Sequence, residues 1–489
     1  MGMALKKRFL TPFLSFLCVF VVWTAACEAI AASTASFFRP SRQPLPSKAG
    51  IGPGVQTFGI GLYSIMGNSK VDPKLSNMRR AAQNGFTIAG PYYHSEWRDF
   101  GHIYAAAREG MKVTFQIRPP ESLVGVPMER RAAELNKLTD AQMAASIRQQ
   151  VSAVLNDAVA NNTVARWSLG LEEVRYWQPA EMRYLKVARD TIRAVEKARG
   201  VSPRPLSMYE PANRHAAALV KTGLYQDIVN KGVYLTGIPR GEQRAGYAIW
   251  SYTQIVRAAS QLGTIPQATL ELSKDFTDPK TGKNPAEIRR VLRHDTYLGL
   301  VMGIKTVNIW SMFEDRPNLT THNEQFLAYA SVARELTGNL QLGKVFLFGE
   351  PRRDLLISVR QGAKRLSYRD QSGNAFTYDT LHYLNTAVDN QRYLFLVNSS
   401  EQPMEVRIQG LPSSYLLDDL FAGTTTAMTQ TSLSWRLDVL GVAALRIRQN
   451  LVSAIAGRGG LSIAAVPEPS AWTLALCSGL VGLFVRHRR

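Results

Sequence analysis

Cysteine is almost absent. Three occur, Cys18, Cys27 and Cys477, all near the ends of the 489-residue chain. The long stretch between Cys27 and Cys477 therefore has no disulfide, no thiol nucleophile and no cysteine-based metal centre. Its stability must come from burial, and the chain is long enough to supply it. The seven histidines show no metal-ligand spacing, so neither a catalytic metal nor another cofactor is expected. No glycine-rich phosphate loop follows the first apolar run, which argues against an open nucleotide-binding sheet. Acidic residues are few: 38 against 58 Lys and Arg, for a net charge of +20. Such a charge favours acidic partners, anionic polysaccharide, lipopolysaccharide or a membrane surface, and also serves plain solubility. No nucleic-acid-binding motif accompanies it, so nucleic acid is not expected as a partner.

What is present begins with the two ends. Lys6, Lys7 and Arg8 precede an apolar run from Phe9 to about Ala26, and Ala29-Ile30-Ala31 has the form of a cleavage site. These parts make residues 1–31 a secretory signal peptide, with an uncleaved anchor helix as the alternative. At the other end, Pro467-Glu468-Pro469 precedes an apolar run from Ala471 to Val485 and the basic tail Arg486-His487-Arg488-Arg489. The run is short for a span, which needs about 20 residues, and the arginines would hold its end on the cytoplasmic side. Residues 467–489 resemble the PEP-CTERM sorting signal of Gram-negative bacteria. That resemblance implies an exosortase as processing enzyme and only a transient stay in the inner membrane through the C-terminal helix. An ordinary C-terminal anchor helix is the alternative. Both ends imply export to the periplasm, outer surface or extracellular matrix. Each end adds three cations and one glutamate, so most of the positive charge belongs to the chain between them.

After a linker at 32–54, residues 55–337 alternate short apolar runs with amphipathic ones. The strand-like runs are VQTFGIGLY, FTIAGPYY, MKVTFQIRP, VARWSLGLEE, RPLSMYEP, GVYLTGI, TIPQATLEL and KTVNIWSMF. Helical stretches such as KLSNMRRAAQN, ARDTIRAVEKA, SYTQIVRAASQL and AEIRRVLRHDTYLGLVM repeat apolar residues at three and four. Several stop at glycine: Gly85, Gly110 and Gly303. Strands alternating with helices pair in parallel, and eight such units in roughly 280 residues fit a (β/α)8 TIM barrel. The third connection, from about Pro119 to Ala165, is the longest, and is read as a lid or a helical insertion. From 338 to 450 the runs KVFLFG, DLLISVRQ, RYLFLVN, MEVRIQG and VAALRI indicate an antiparallel β-sandwich. Residues 451–466 form a small-residue linker.

In a barrel the C-terminal ends of the strands line the active site. Four glutamates end strands there: Glu172 and Glu173 after strand four, Glu210 after strand five and Glu271 after strand seven. Charged groups seldom end a buried strand unless they are paired or functional. Along strand four, Trp167, Leu169 and Leu171 share a large apolar face that suits the helices. Ser168, Gly170 and Glu172 share the face that suits the lumen. Gln267, Thr269 and Glu271 do the same on strand seven. A bulge in strand four would exchange Glu172 for Glu173. Aromatic residues gather at the same end: Tyr63, Tyr92, Tyr93, Trp97, Tyr176, Trp177, Tyr209 and Trp310. Sugars stack on aromatic faces through their apolar C–H side. His94 is a further polar candidate. Arg118, after strand three, is a candidate for binding; Arg118 and Arg175 are also where the glutamates would pair if they served only the barrel rim.

The ordered set resembles the glycoside hydrolases of clan A. The residues that carry it are Glu172-Glu173, PQATLE ending on Glu271, NGFTIAGPYY, EGMKVTFQI and Trp310 in NIWSMF, with RYLFLVNSS and LGVAALRI similar to accessory domains of such enzymes. The resemblance implies an acid/base glutamate at the end of strand four, a nucleophilic glutamate, Glu271, at the end of strand seven, and hydrolysis with retention. Leu171 stands where the family has asparagine. The family's strand-six tyrosine has no counterpart in LTGIPR. Such chemistry needs one carboxyl group protonated and one ionised. The expectation is an exported enzyme acting on envelope or extracellular polysaccharide, anionic polymers included. The alternatives are a barrel that binds polysaccharide without cutting it and a surface structural protein.

Overall fold

A computed structural model describes residues 57–63, 75–91, 100–235, 238, 241–271, 285–310 and 323–449. The signal peptide, both linkers and the sorting signal lie outside these residues, as do Tyr92, Tyr93, His94 and Trp97. The first eight strands are β1 (Gly59–Leu62), β2 (Ile88–Ala89), β3 (Lys112–Ile117), β4 (Val164–Leu169), β5 (Leu206–Glu210), β6 (Ile228–Gly232), β7 (Ile265–Glu271) and β8 (Thr306–Trp310). Each pairs in parallel with the next, and β1 pairs with β8, so they close a barrel. The TIM-barrel architecture expected from the alternation is present.

The helices around it are α1 (Leu75–Gln83), α2 (Gly101–Arg108), α3 (Met128–Asn136), α4 (Asp140–Asn156), α5 (Ala158–Thr163), α6 (Pro179–Ala198), α7 (Ala216–Gly223), α8 (Glu242–Leu262), α9 (Pro285–Val301), α10 (Asn323–Thr337) and α11 (Leu342–Phe348). Gly85, Gly110 and Gly303 end helices at φ of +86°, +71° and +112°, the left-handed conformation a side chain would strain. The long third connection is helical: one 3-10 turn (Glu121–Leu123), then α3, α4 and α5. Thr139 caps α4 reciprocally with Gln142. Among the described residues, no helix is long and apolar enough to cross a membrane.

One strand lies earlier than its sequence suggests. Strand six is Ile228–Gly232, not GVYLTGI. Asn230 and Lys231 hide it, because neither reads as part of a buried strand. Both are buried all the same. Lys231 turns outward, where its Nζ donates to Ser251 Oγ of α8 at 3.0 Å and lies 4.9 Å from the Trp250 ring centre. Burial pulls its pKa well below the ordinary lysine value. KVFLFG is also misread as a strand. It falls in α11, which buries Leu342, Val345, Phe346 and Leu347. Short apolar runs do not reveal their period.

The remaining strands are β9 (Glu350–Pro351), β10 (Leu356–Gln361), β11 (Arg365–Arg369), β12 (Ala375–Asp379), β13 (Leu381–Val388), β14 (Gln391–Asn398), β15 (Met404–Gln409), β16 (Tyr415–Asp419), β17 (Thr424–Met428), β18 (Ser432–Leu437) and β19 (Val442–Gln449). Six form one antiparallel sheet in the order β17-β16-β19-β14-β13-β9, and β10-β15-β18 form a second. Leu394, Leu396 and Leu445 of the larger sheet share a core with Val406 and Ile408 of the smaller, which makes the sandwich. Its other face continues the barrel's core through Phe395, 4.4 Å from Phe346 between ring centres. There His294 of α9 bridges Asp295 Oδ1 (3.0 Å) and Ser399 Oγ (3.1 Å), while Arg244 of α8 pairs with Asp295. The order Ser–His–Asp is that of a hydrolytic triad, but at 1%, 0% and 3% exposure it is sealed in the joint between barrel and sandwich.

Candidate active site

The alternation read from strand four is borne out lower in the barrel. Trp167 points out under α6, where its Nε1 donates to Glu196 Oε1 at 2.8 Å. Arg166 points in. Its guanidinium crosses the lumen to Gln267 Oε1 (3.2 Å) and Thr306 Oγ1 (2.9 Å), and burial lowers its pKa to about 10. On the next level Thr269 Oγ1 donates to Asn230 Oδ1 at 2.7 Å. Gln267 and Thr269 thus face the lumen, and Glu271, two residues on at the end of β7, lies on the same face.

An aromatic stack covers this polar floor. Tyr209 of β5 and Tyr234, two residues past β6, stack at 6.1 Å between ring centres and 17° between planes. Tyr234 in turn lies 5.4 Å from Trp310 at the end of β8. The Tyr234 and Tyr209 hydroxyls share a hydrogen bond, and burial raises the pKa of both. Gly232 makes the arrangement possible: a Cβ there would stand 2.5 Å from the Tyr209 hydroxyl. Tyr63 lies deeper. It is 1% exposed, with its hydroxyl bonded to Asn230 and Thr269, so it is floor rather than an open stacking surface.

The two neighbouring glutamates differ. Glu172 lies three residues beyond β4, and its carbonyl accepts from Arg131 Nη1 of α3 at 2.8 Å. After burial, its charge is the next cause that raises the pKa of Tyr63, and it also acts on Tyr209 and Tyr234. Tyr63 follows β1, across the barrel from β4, while Tyr209 lies on β5 and Tyr234 just beyond the adjacent β6. Glu173 has φ of +56°, a left-handed backbone, and its N–H donates to the Tyr209 carbonyl at 3.0 Å. Its charge is felt by Tyr209 and by Glu210 on the neighbouring strand. A strained backbone at a strand end is a common feature of functional sites. Glu271 is half-buried, pairs in register with Trp310, and its carbonyl accepts from the Tyr329 hydroxyl at 2.9 Å.

The other candidates separate into three places. Glu210 turns away from the lumen, which Tyr209 faces in its stead. It is 1% exposed and 3.4 Å from Arg214. Burial raises its pKa to about 7, with Arg214 pulling the other way. Tyr176 and Trp177 form an edge-to-face pair, 4.9 Å apart, on the rim beyond β4. Arg118 follows β3 and is held through its backbone by both ends of the Gln150 amide. Arg175 pairs with the fully buried Glu181 at 2.6 Å, not with the mouth glutamates. Among the described residues, no group of three His, Cys, Asp or Glu side chains converges as metal ligands would.

Tyr234 is the residue that sequence reasoning missed. It stands just beyond strand six, where LTGIPR offered no tyrosine, and the shifted strand explains why. Asn230 beneath it was missed for the same reason.

No protein-family model matches the chain, and no curated protein matches it. Solved structures do. An Anoxybacillus α-amylase is 10% identical over 81% of this chain and 98% of that one, with a TM-score of 0.51. The α-amylase of Geobacillus thermoleovorans, complexed with acarbose, is 9% identical over 81% and 99%, at 0.47. A GH27 β-L-arabinopyranosidase of Geobacillus stearothermophilus is 11% identical over 81% and 98%, at 0.46. At such identities the likeness is one of fold.

Proposed function

We propose that this chain is an exported glycoside hydrolase of the clan A type that cleaves polysaccharide with retention. One observation carries the reading: Glu271 ends β7 and Glu172 lies three residues beyond β4, at the same end of the barrel as the stack of Tyr209, Tyr234 and Trp310. Glu271 is the nucleophile. Glu172 is the acid/base, because it continues the lumen-facing alternation of Arg166 on β4 while Leu171 packs into the apolar core on the other face. Tyr234 stands just beyond β6, where the family has its strand-six tyrosine. Trp310 offers its face to a sugar ring. Arg166 fixes the lumen below, and no cofactor takes part.

In the first half-reaction the Glu271 carboxylate attacks the anomeric carbon while Glu172 gives its proton to the leaving oxygen. In the second, Glu172 takes a proton from water, which displaces Glu271. Export through the N-terminal signal and processing by an exosortase at the C-terminus belong to the same proposal. The test is release of reducing ends from a panel of bacterial envelope polysaccharides. Glu271→Gln should abolish release while leaving the melting temperature within a degree or two. Unchanged release would remove the assignment, and polysaccharide binding without release by the wild type would favour a non-catalytic barrel.

A further inference from the structure

Beside the mouth, the rim after β4 carries an aromatic pair with unusual surroundings. Trp177 is 57% exposed, one of the few large apolar side chains so open among the described residues. Tyr176 braces it edge-on. Arg214 lies behind both, its guanidinium 5.3 Å from each ring centre. It is held there by the Val174 carbonyl at 2.9 Å and by Glu210 at 3.4 Å. Lys221, in the last turn of α7, stands 4.7 Å from the Tyr176 ring centre. It is exposed, and among the described residues no carboxylate pairs with it.

Each part has a different task. Arg214 is nearly buried and holds the pair in place, tying the β4 loop to the β5 loop. Trp177 presents a flat apolar face to solvent, which matches the C–H face of a pyranose. Lys221 adds an exposed positive charge over the Tyr176 ring of the pair, without the fixed fork that a planar bidentate site requires. A neutral sugar would use the first feature and waste the second. A sugar that carries a carboxylate uses both, and the chain's charge of +20 favours such a polymer at longer range.

We propose that Trp177, Tyr176 and Lys221 form a rim subsite for an acidic sugar unit, a uronate, of the polysaccharide that enters the mouth. The proposal rests on the functional reading above for the path of the polymer, but its test does not need turnover. The probe is polygalacturonate in affinity electrophoresis, with dextran as neutral control and single-stranded DNA as competitor. The protein is the full chain carrying Glu271→Gln, so that no polymer is cut during the run.

Polygalacturonate should retard this protein, and dextran should not. Adding Trp177→Ala or Lys221→Glu should weaken retardation roughly tenfold, about 1.4 kcal/mol, and raised salt should weaken it further. Both side chains are exposed, so the variants should fold. Retardation indifferent to Trp177, equal retardation by dextran, or tighter capture of single-stranded DNA than of polygalacturonate would each overturn the proposal. Binding that depends on Trp177 in a wild-type protein that cuts nothing would leave the subsite and sink the hydrolase. Hydrolysis indifferent to Trp177 would do the reverse.

Discussion

Gly232 and the Tyr209 hydroxyl share one space: a Cβ on residue 232 would lie 2.5 Å from that oxygen. The glycine is therefore a condition for the Tyr209–Tyr234–Trp310 stack. Gly232→Ala should push Tyr209 out of register with Tyr234. Overpacking of this kind costs about 1–3 kcal/mol. The larger effect should be on turnover, which we expect to fall at least tenfold with the fold retained. Denaturant titration and kinetics on the same sample check this; full activity would show that the stack has no part in catalysis.

Glu196 is a buried anchor of the barrel wall. It accepts from Trp167 Nε1 at 2.8 Å and from the Arg204 N–H at 2.9 Å, and pairs with Arg193 at 2.6 Å. Removing one partner of a buried pair leaves the others unsatisfied, at about 3–5 kcal/mol. Glu196→Ala should lose stability on that scale in urea. A loss below about 1 kcal/mol would mean that water replaces the carboxylate without strain.

Glu210 gives a pH signature. Its folded pKa, about 7, lies above the ordinary 4.5, chiefly because of burial. Between those values the folded chain keeps a proton that the unfolded chain has released. This contribution is whole below the unfolded pKa and is lost as pH rises through about 7. One such group gives a slope of up to about 1.4 kcal/mol per pH unit. Glu210→Gln should flatten the fall in stability between pH 5 and 7, as unfolding at fixed pH values will show. The same slope in the variant would place its origin elsewhere.

The sequence was informative wherever alternation was clean. On β4 and β7 it separated Trp167 from the lumen and put Gln267 and Thr269 inside, because polar and apolar faces differ there. It failed where a barrel strand carries polar residues on both faces: Asn230 and Lys231 concealed β6 and, with it, Tyr234. Glu210 was placed by its position at a strand end. The alternation applied to β4 would have set it with Leu206 and Met208, facing the helices. Tyr63 was legible as a mouth residue but not its depth, which depends on Asn230 and Thr269 from two other strands. The joint between barrel and sandwich, His294 to Ser399, joins residues far apart in the chain and left no local pattern.

Chemical rescue with azide tests the central claim most directly. On the polysaccharide or derived glycoside that the wild type cuts, Glu271→Ala and Glu172→Ala should both be inactive. Azide should restore turnover in each, giving a glycosyl azide of inverted configuration from Glu271→Ala and of retained configuration from Glu172→Ala. Rescue of Glu173→Ala in place of Glu172→Ala would exchange the neighbours. Undiminished turnover by Glu271→Ala would contradict the two-glutamate account outright.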